Sequence, residues 1–287
     1  MTGWQAILIG LLQGATELFP VSSLGHAVVV PALLGWSNVI SDRNFVPFLT
    51  LLHIGTAGAL LFLYRRDWVA IITGFVRAGI RGRIERPEER LAMLLVVGTI
   101  PAGVLGVFLE TKFKMLFATP RIAASFLIVN GAILASAELL RRRDERRHRV
   151  GSLRREQQEL AFADVSSLSF AQAFGIGLAQ SLALLPGISR SGATMAGGLV
   201  AGLSHSAAVR FAFLLATPVI LAAGLLEIPQ LIGTNVPWGA LLLATVLAGV
   251  VAYGSARFLV RYFRSGRLDP YAAYCAALGA LTLALVR

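Results

Sequence analysis

Apolar stretches of about 18–22 residues recur from one end of the chain to the other, close to the ~20 residues an α-helix needs to cross ~30 Å of hydrocarbon. Leu, Ala, Val, Ile, Phe and Gly dominate segments at about 46–64, 91–109, 121–140, 207–228, 237–260 and 270–286, a pattern that predicts six full transmembrane helices. Two further apolar regions, 4–36 and 170–203, are each cut in the middle by Pro, Gly and Ser clusters carrying polar groups. They predict re-entrant helix pairs. Non-helical backbone persists at membrane depth only where protein or a water-filled cavity satisfies its N–H and C=O groups, so such breaks line a site.

At an offset of 167 residues the two broken regions match: Ile9 with Ile176, Gly10 with Gly177, Leu11 with Leu178, Gln13 with Gln180, Ser22 with Ser189 and Gly25 with Gly192. An internal repeat is expected, each copy followed by three spans. Arginine is dense in 65–90, 141–155 and 257–267, which places these segments as cytoplasmic loops. The connections 38–45, 110–121 and 229–236 then lie outside, as do both termini. The first broken pair enters from the outer side and the second from the cytoplasmic side, so the halves are inverted. The expected fold is an all-α integral membrane protein, a single domain over 1–287 with six full transmembrane helices and two re-entrant helix pairs in an inverted-topology repeat. Half 1 covers about 1–140, half 2 about 170–287, and a basic cytoplasmic loop about 141–166.

Composition agrees with lipid as solvent: 56% of the 287 residues are hydrophobic and 14% charged, against roughly 25% charged in globular domains. The formal charge of +11 resides largely in arginines of short loops, where it sets topology and does not indicate nucleic acid. Cys275 is the only cysteine and lies in an apolar stretch, which excludes a disulfide framework and a thiolate metal site. The first apolar segment lacks a basic leader and carries Gln13 and Glu17, so it is expected to stay in the mature protein. His53 lies inside a span and reads as a helix-to-helix hydrogen-bonding residue, whereas His148 and His205 read as loop residues.

The first break reads Gln13-Gly-Ala-Thr-Glu17-Leu-Phe-Pro20-Val-Ser22-Ser23-Leu-Gly-His26. Glu17 is the acid placed deepest in apolar sequence, a costly position that marks a functional group; its structural alternative is an ion pair with Arg190 joining the halves. Gln13 precedes it by four residues and shares its helical face. If a helix restarts after Pro20, the Ser22 or Ser23 hydroxyl can approach His26, the usual base for a serine nucleophile. The bland role for either serine is a helix N-cap. The second break, Pro186-Gly187-Ile188-Ser189-Arg190-Ser191-Gly192-Ala193-Thr194, offers a guanidinium, three hydroxyls and glycine-exposed N–H groups at an expected helix start. Helix N-termini favour anions and Arg matches phosphate oxygens bidentately. The combination suits a diphosphate.

At these residues the sequence resembles the undecaprenyl-diphosphate phosphatase, or bacitracin-resistance, family. The resemblance covers nearly the whole chain and rests on Gln13-x-x-x-Glu17, Pro20-Val-Ser22-Ser23-x-Gly25-His26 and Pro186-Gly-x-Ser189-Arg190-Ser191-Gly192-x-Thr194. It implies hydrolysis of undecaprenyl diphosphate to the monophosphate and inorganic phosphate, recycling the carrier lipid for peptidoglycan. It also implies a bacterial inner-membrane location with the site open to the periplasm, and a divalent cation, Mg2+ or Ca2+. Glu17, with Gln13 in the family's Glu/Gln position, is the metal candidate. Glu17, Ser23, His26 and Arg190 are the catalytic candidates, and Ser22, Ser189, Arg190, Ser191 and Thr194 the diphosphate binders. Ser23 or a water is expected to attack phosphorus while His26 moves the proton. The partners are a polyprenyl diphosphate lipid and the phospholipid bilayer, without nucleic acid; a homo-oligomer stays open. A lipid flippase and an intramembrane serine protease are the rival classes, disfavoured respectively by the Ser-x-x-His pair and by the buried Arg190.

Overall fold

The computed structural model describes residues 1–42, 44–114, 119–147, 165–231 and 238–286, and no strand occurs among them. In chain order the helices are α1 (Gly3–Thr16), α2 (Ser23–Leu33), the single turn α3 (Ser37–Ile40), α4 (Phe45–Leu63), α5 (Arg65–Arg81), α6 (Pro87–Lys114) and α7 (Pro120–Arg147). They continue with α8 (Phe170–Ser181), a 3-10 turn (Leu182–Leu184), α9 (Arg190–Val200), α10 (His205–Leu231), α11 (Trp238–Tyr262) and α12 (Asp269–Leu285).

Five of these are long and apolar enough to span a bilayer, within Phe45–Leu63, Pro87–Phe108, Pro120–Arg143, His205–Pro229 and Trp238–Tyr262. The sixth expected span corresponds to α12, which has 17 residues, short of the ~20 for a full crossing. By length and composition the described helices therefore supply five full spans. Both broken regions are helix–break–helix units, α1–α2 and α8–α9, as their Pro and Gly clusters predict.

The basic stretch 65–90 is mostly helix and not a loop. Trp68, Ile71, Ile72 and Phe75 recur at helical spacing, a period that the arginine count obscured. Ile71, Gly74 and Ala78 are buried, and α5 packs on α6; Val69, Ile72, Val76 and Ile80 remain exposed. His205 likewise opens α10 and is not in a loop, with its Nε2 2.9 Å from Glu138 Oε2. His148 and most of the expected loop 141–166 lie outside the described residues.

The first helix of each broken unit lies against a long helix of the other half. Helix α1 packs along α11 and α8 along α6, while α7 pairs with α12 and α4 with both α10 and α11. The crossings are backbone-close. A Cβ on Gly10 would sit 2.6 Å from the Ala244 carbonyl oxygen, and one on Gly177 would sit 2.1 Å from that of Gly98. Lipid supplies no hydrophobic drive between helices, so close approach at small residues is what holds them.

The two breaks satisfy each other. Ser22 caps α2 by accepting from Gly25 N at 3.1 Å, and Ser189 caps α9 by accepting from Gly192 N at 3.1 Å. The Ser189 and Ser191 hydroxyls both donate to the Phe19 carbonyl, at 3.2 and 2.8 Å. From α7, Asn130 Nδ2 donates to the Pro20 carbonyl at 3.0 Å, and Asn130 Oδ1 accepts from Ser189 N at 3.0 Å. Irregular backbone is thus kept at depth by protein partners.

The glycine crossings are testable by moving one methyl group around α8. Gly177→Ala forces the new carbon into the Gly98 backbone, whereas Gly175 faces open space with nothing within 4 Å. Gly177→Ala should lose ~1–3 kcal/mol of stability through overpacking, while Gly175→Ala stays neutral or gains slightly. Thermal unfolding of the purified variants in one detergent checks the difference.

Candidate active site

The breaks enclose a cavity of about 170 Å³ lined by Glu17, Ser22, Ser23, His53, Gln180, Ser189 and Arg190, with apolar walls that include Leu24, Ala102, Val219 and Ala223. That is space for several waters, each taking ~30 Å³ of liquid volume. Ser23 and Arg190 are the first residues of α2 and α9, so two helix N-termini meet at the cavity. Such termini present unpaired N–H groups and partial positive charge, a setting that favours anions.

Glu17, directly after α1, is the hub. Its Oε1 forms an ion pair with Arg190 Nη2. Its Oε2 accepts from Gln13 Nε2 at 2.8 Å and from the Ser23 hydroxyl, and lies 3.2 Å from His53 Nε2, which must donate because a carboxylate only accepts. The Glu17 side chain is 3% exposed and that of Arg190 17%. A carboxylate can be kept charged at such burial only by opposite charge and hydrogen bonds, and here it has both. The pair uses one guanidinium nitrogen, leaving others for a ligand.

The Ser23 hydroxyl points to Glu17, whereas spacing along α2 had suggested His26. Both His26 nitrogens have other partners: Nδ1 is 2.7 Å from the Ser22 carbonyl oxygen and Nε2 is 2.8 Å from the Tyr274 hydroxyl. The carbonyl only accepts, so Nδ1 carries the proton, and in the neutral ring Nε2 accepts from Tyr274. His26 therefore clamps the carbonyl of Ser22, the one described non-glycine residue with positive φ, at 68°. Sparsely populated backbone of this kind costs ~1–3 kcal/mol and persists where its surroundings enforce it.

Of the expected diphosphate binders, Ser22, Ser189 and Arg190 line the cavity. Ser191 is turned to the Phe19 carbonyl, and Thr194 Oγ1 donates to the Arg190 carbonyl at 2.7 Å, so these two brace the break around Arg190. Three participants carried no distinctive sequence signal. His53 comes from α4, Asn130 from α7 and Tyr274 from α12, each set among apolar neighbours in its helix.

No group of three His, Cys, Asp or Glu side chains converges among the described residues. Among the lining residues Glu17 is the one carboxylate; the Gln13 amide is hydrogen-bonded to it, and the Gln180 amide and the hydroxyls of Ser22, Ser23 and Ser189 are further oxygens. That set fits an ion taking most of its ligands from phosphate and water, as Mg2+ does with one or two carboxylates.

Fold and site together define a polytopic membrane protein with a buried charge pair and a cavity between two broken helices. The sequence model of the family described as Bacitracin resistance protein BacA matches residues 6–281, and the chain belongs to that family. It is 48% identical to the undecaprenyl-diphosphatase of Acidiphilium cryptum over all of this chain and 99% of that one. It is 44% identical to undecaprenyl-diphosphatase 2 of Chromobacterium violaceum, covering 99% of this chain and 98% of the relative. With the undecaprenyl-diphosphatase of Mycolicibacterium paratuberculosis the identity is 48%, over 97% and 95% of the two chains.

Breaking a buried pair strands a charge, whereas removing both partners does not. Arg190→Met should lose ~3 kcal/mol or more of stability, and the double variant Glu17→Leu/Arg190→Met should recover a large part of it. A thermal-unfolding double-mutant cycle in detergent, with Glu17→Leu as the other single variant, checks this; additive losses would mean that the two charges are not coupled.

Proposed function

We propose that the chain hydrolyses undecaprenyl diphosphate to undecaprenyl phosphate and inorganic phosphate in the bacterial inner membrane, recycling the carrier lipid for peptidoglycan synthesis and giving bacitracin resistance. The observation that carries this reading is the meeting of a serine hydroxyl, a carboxylate and a guanidinium at two helix N-termini inside an apolar shell. The names of the full-length relatives supply the substrate.

Arg190 exchanges part of its contact with Glu17 for the phosphate oxygens, which its planar fork can hold bidentately. N–H groups at the starts of α2 and α9 and the Ser189 hydroxyl bind the remaining oxygens. Ser23 Oγ attacks the terminal phosphorus, the bond from that phosphorus to the bridging oxygen breaks, and undecaprenyl phosphate leaves. Glu17 Oε2, already bonded to the Ser23 hydroxyl, takes its proton. Glu17 gives that proton to the departing undecaprenyl phosphate; water then hydrolyses the phosphoserine, Glu17 taking a proton from the water and returning it to Ser23 Oγ as the Oγ–P bond breaks. His53 and Gln13 keep Glu17 oriented. His26 acts as a positioning residue, fixing the Ser22 turn that aims Ser23. Glu17 and Gln13 would hold an Mg2+ or Ca2+, which would supply charge neutralisation on the diphosphate. Positioning and charge stabilisation are what phosphoryl transfer chiefly needs.

The topology belongs to this proposal: an inverted repeat of two broken units, with α12 as a sixth crossing, both termini periplasmic and the site open to that side. Reciprocal contacts support it. Under the 167-residue offset Gly10 corresponds to Gly177, and both are the close-crossing glycines of α1 and α8. Pro20 corresponds to Gly187 and Gly25 to Gly192; a Cβ on Gly25 would lie 3.1 Å from Gly187, and one on Gly192 would lie 3.2 Å from Pro20.

Purified protein in detergent should release phosphate from undecaprenyl diphosphate. Ser23→Ala should lose at least ~100-fold in kcat, the scale of a lost nucleophile or acid–base group, yet still bind diphosphate. Rapid acid quench with labelled substrate should trap phosphoserine in wild type; substantial turnover by Ser23→Ala eliminates the serine route. His26→Gln should slow the reaction without moving the acid limb of the pH–rate profile, because Glu17 carries the proton. A shift of that limb would return the base role to His26.

The orientation is checked independently of chemistry. A reporter fused after Arg287 should behave as periplasmic, and a cytoplasmic signal would remove the inverted arrangement.

A further inference from the structure

Gln180 lies in the last turn of α8 and lines the same cavity as Glu17, Ser23 and Arg190. It is 2% exposed, and neither Nε2 nor Oε1 has a hydrogen-bond partner. An amide carries two donors and a two-fold acceptor, and leaving all of them unused in a buried position is unfavourable. Its partner is therefore something the cavity receives.

The first half shows what this position does when a partner is present. Gln13, the counterpart of Gln180 under the 167-residue offset, donates to the Glu17 carboxylate at 2.8 Å. The offset puts Leu184 where Glu17 stands, so the second half has no resident anion for its glutamine. Glu17 cannot serve both: its two oxygens already take Gln13, Ser23, His53 and Arg190. The nearby cavity wall from α6 and α10 is apolar, with Ala102, Val219 and Ala223. The unfilled requirement on this side is for an acceptor brought by the ligand.

We propose that Gln180 is a substrate contact, its Nε2 amide donating to a non-bridging oxygen of the terminal phosphoryl group. The proposal rests on the function proposed above and adds a residue to it. Arg190 and the helix starts hold the diphosphate from the side of the breaks, and Gln180 holds it from the end of α8. A neutral donor is suited to this place because it adds a hydrogen bond without pulling the Glu17 carboxylate away from Ser23.

The full-length protein in detergent is compared with Gln180→Leu and Gln180→Glu by hydrolysis of undecaprenyl diphosphate and by thermal unfolding with and without inorganic diphosphate. Gln180→Leu, similar in volume and without polar atoms, should unfold at or above the wild-type temperature, because no internal hydrogen bond is lost. Its KM should rise ~10-fold, the scale of one hydrogen bond to a charged group, and protection by inorganic diphosphate should fall. Gln180→Glu keeps the shape but sets an anion against an anion, so it should lose more in kcat/KM than Gln180→Leu. It also decides the matter on the same readouts if Gln180→Leu does not fold. Wild-type KM and protection in these variants overturn the proposal, as does a lowered unfolding temperature with unchanged KM, which assigns Gln180 to structure. A wild-type protein that releases no phosphate overturns the proposed function instead, and protection by inorganic diphosphate then judges Gln180 alone.

Discussion

A carboxylate and a guanidinium cannot stand alone in hydrocarbon, and the contact between Glu17 and Arg190 is the constraint from which the site is built. Each break contributes one of the charges, so neither unit is complete without the other. The remaining polar groups fall into place around that pair. Gln13, Ser23 and His53 occupy the other carboxylate oxygen, and Asn130 and the Ser189 and Ser191 hydroxyls stitch the loop backbones together. A phosphate resembles a carboxylate in its oxygens, so the donors that stabilise Glu17 are of the kind the proposed diphosphate substrate requires.

The same arrangement explains why the halves must approach so closely. Ser189 and Ser191 reach the Phe19 carbonyl across the molecule only if α1, α8 and their partners sit backbone against backbone, and Gly10 and Gly177 permit this. Polar satisfaction at the centre and small-residue packing at the crossings are two aspects of one geometry. Side chains larger than hydrogen at the crossings would separate the breaks and leave their carbonyls without donors.

Much of this was legible along the chain, because cost in lipid makes polar residues conspicuous. Glu17, Arg190 and the two Pro–Gly–Ser clusters marked the centre, and the two breaks meet at one cavity. Among contacts of long sequence separation, the pairing of Glu17 with Arg190 was legible and the others were not. His53 is one polar residue in an apolar helix, which spacing cannot distinguish from a packing histidine. The partner of His26 is Tyr274, 248 residues away, so helical spacing suggested Ser23 in its place. Helix α5 was hidden for another reason: its arginines read as topology signals and masked a 3.6-residue apolar period. The helix at 270–286 was expected as a full span, and hydropathy located it to within a residue, as Asp269–Leu285.

The packing of α1 along α11 also bears on how the chain is made. A ribosome adds ~5–20 residues per second, so the N-terminal helix waits on the order of ten seconds or more before Trp238–Tyr262 emerges to receive its glycine face. For most of that interval Glu17 lacks Arg190, and throughout it α7 lacks α12. Insertion can proceed helix by helix, but the packing of α7 is deferred until Asp269–Leu285 has been made. Nascent chains of this protein therefore pass through a stage in which a carboxylate is shielded by water, lipid headgroups or the insertion machinery, and quality control has its longest opportunity there.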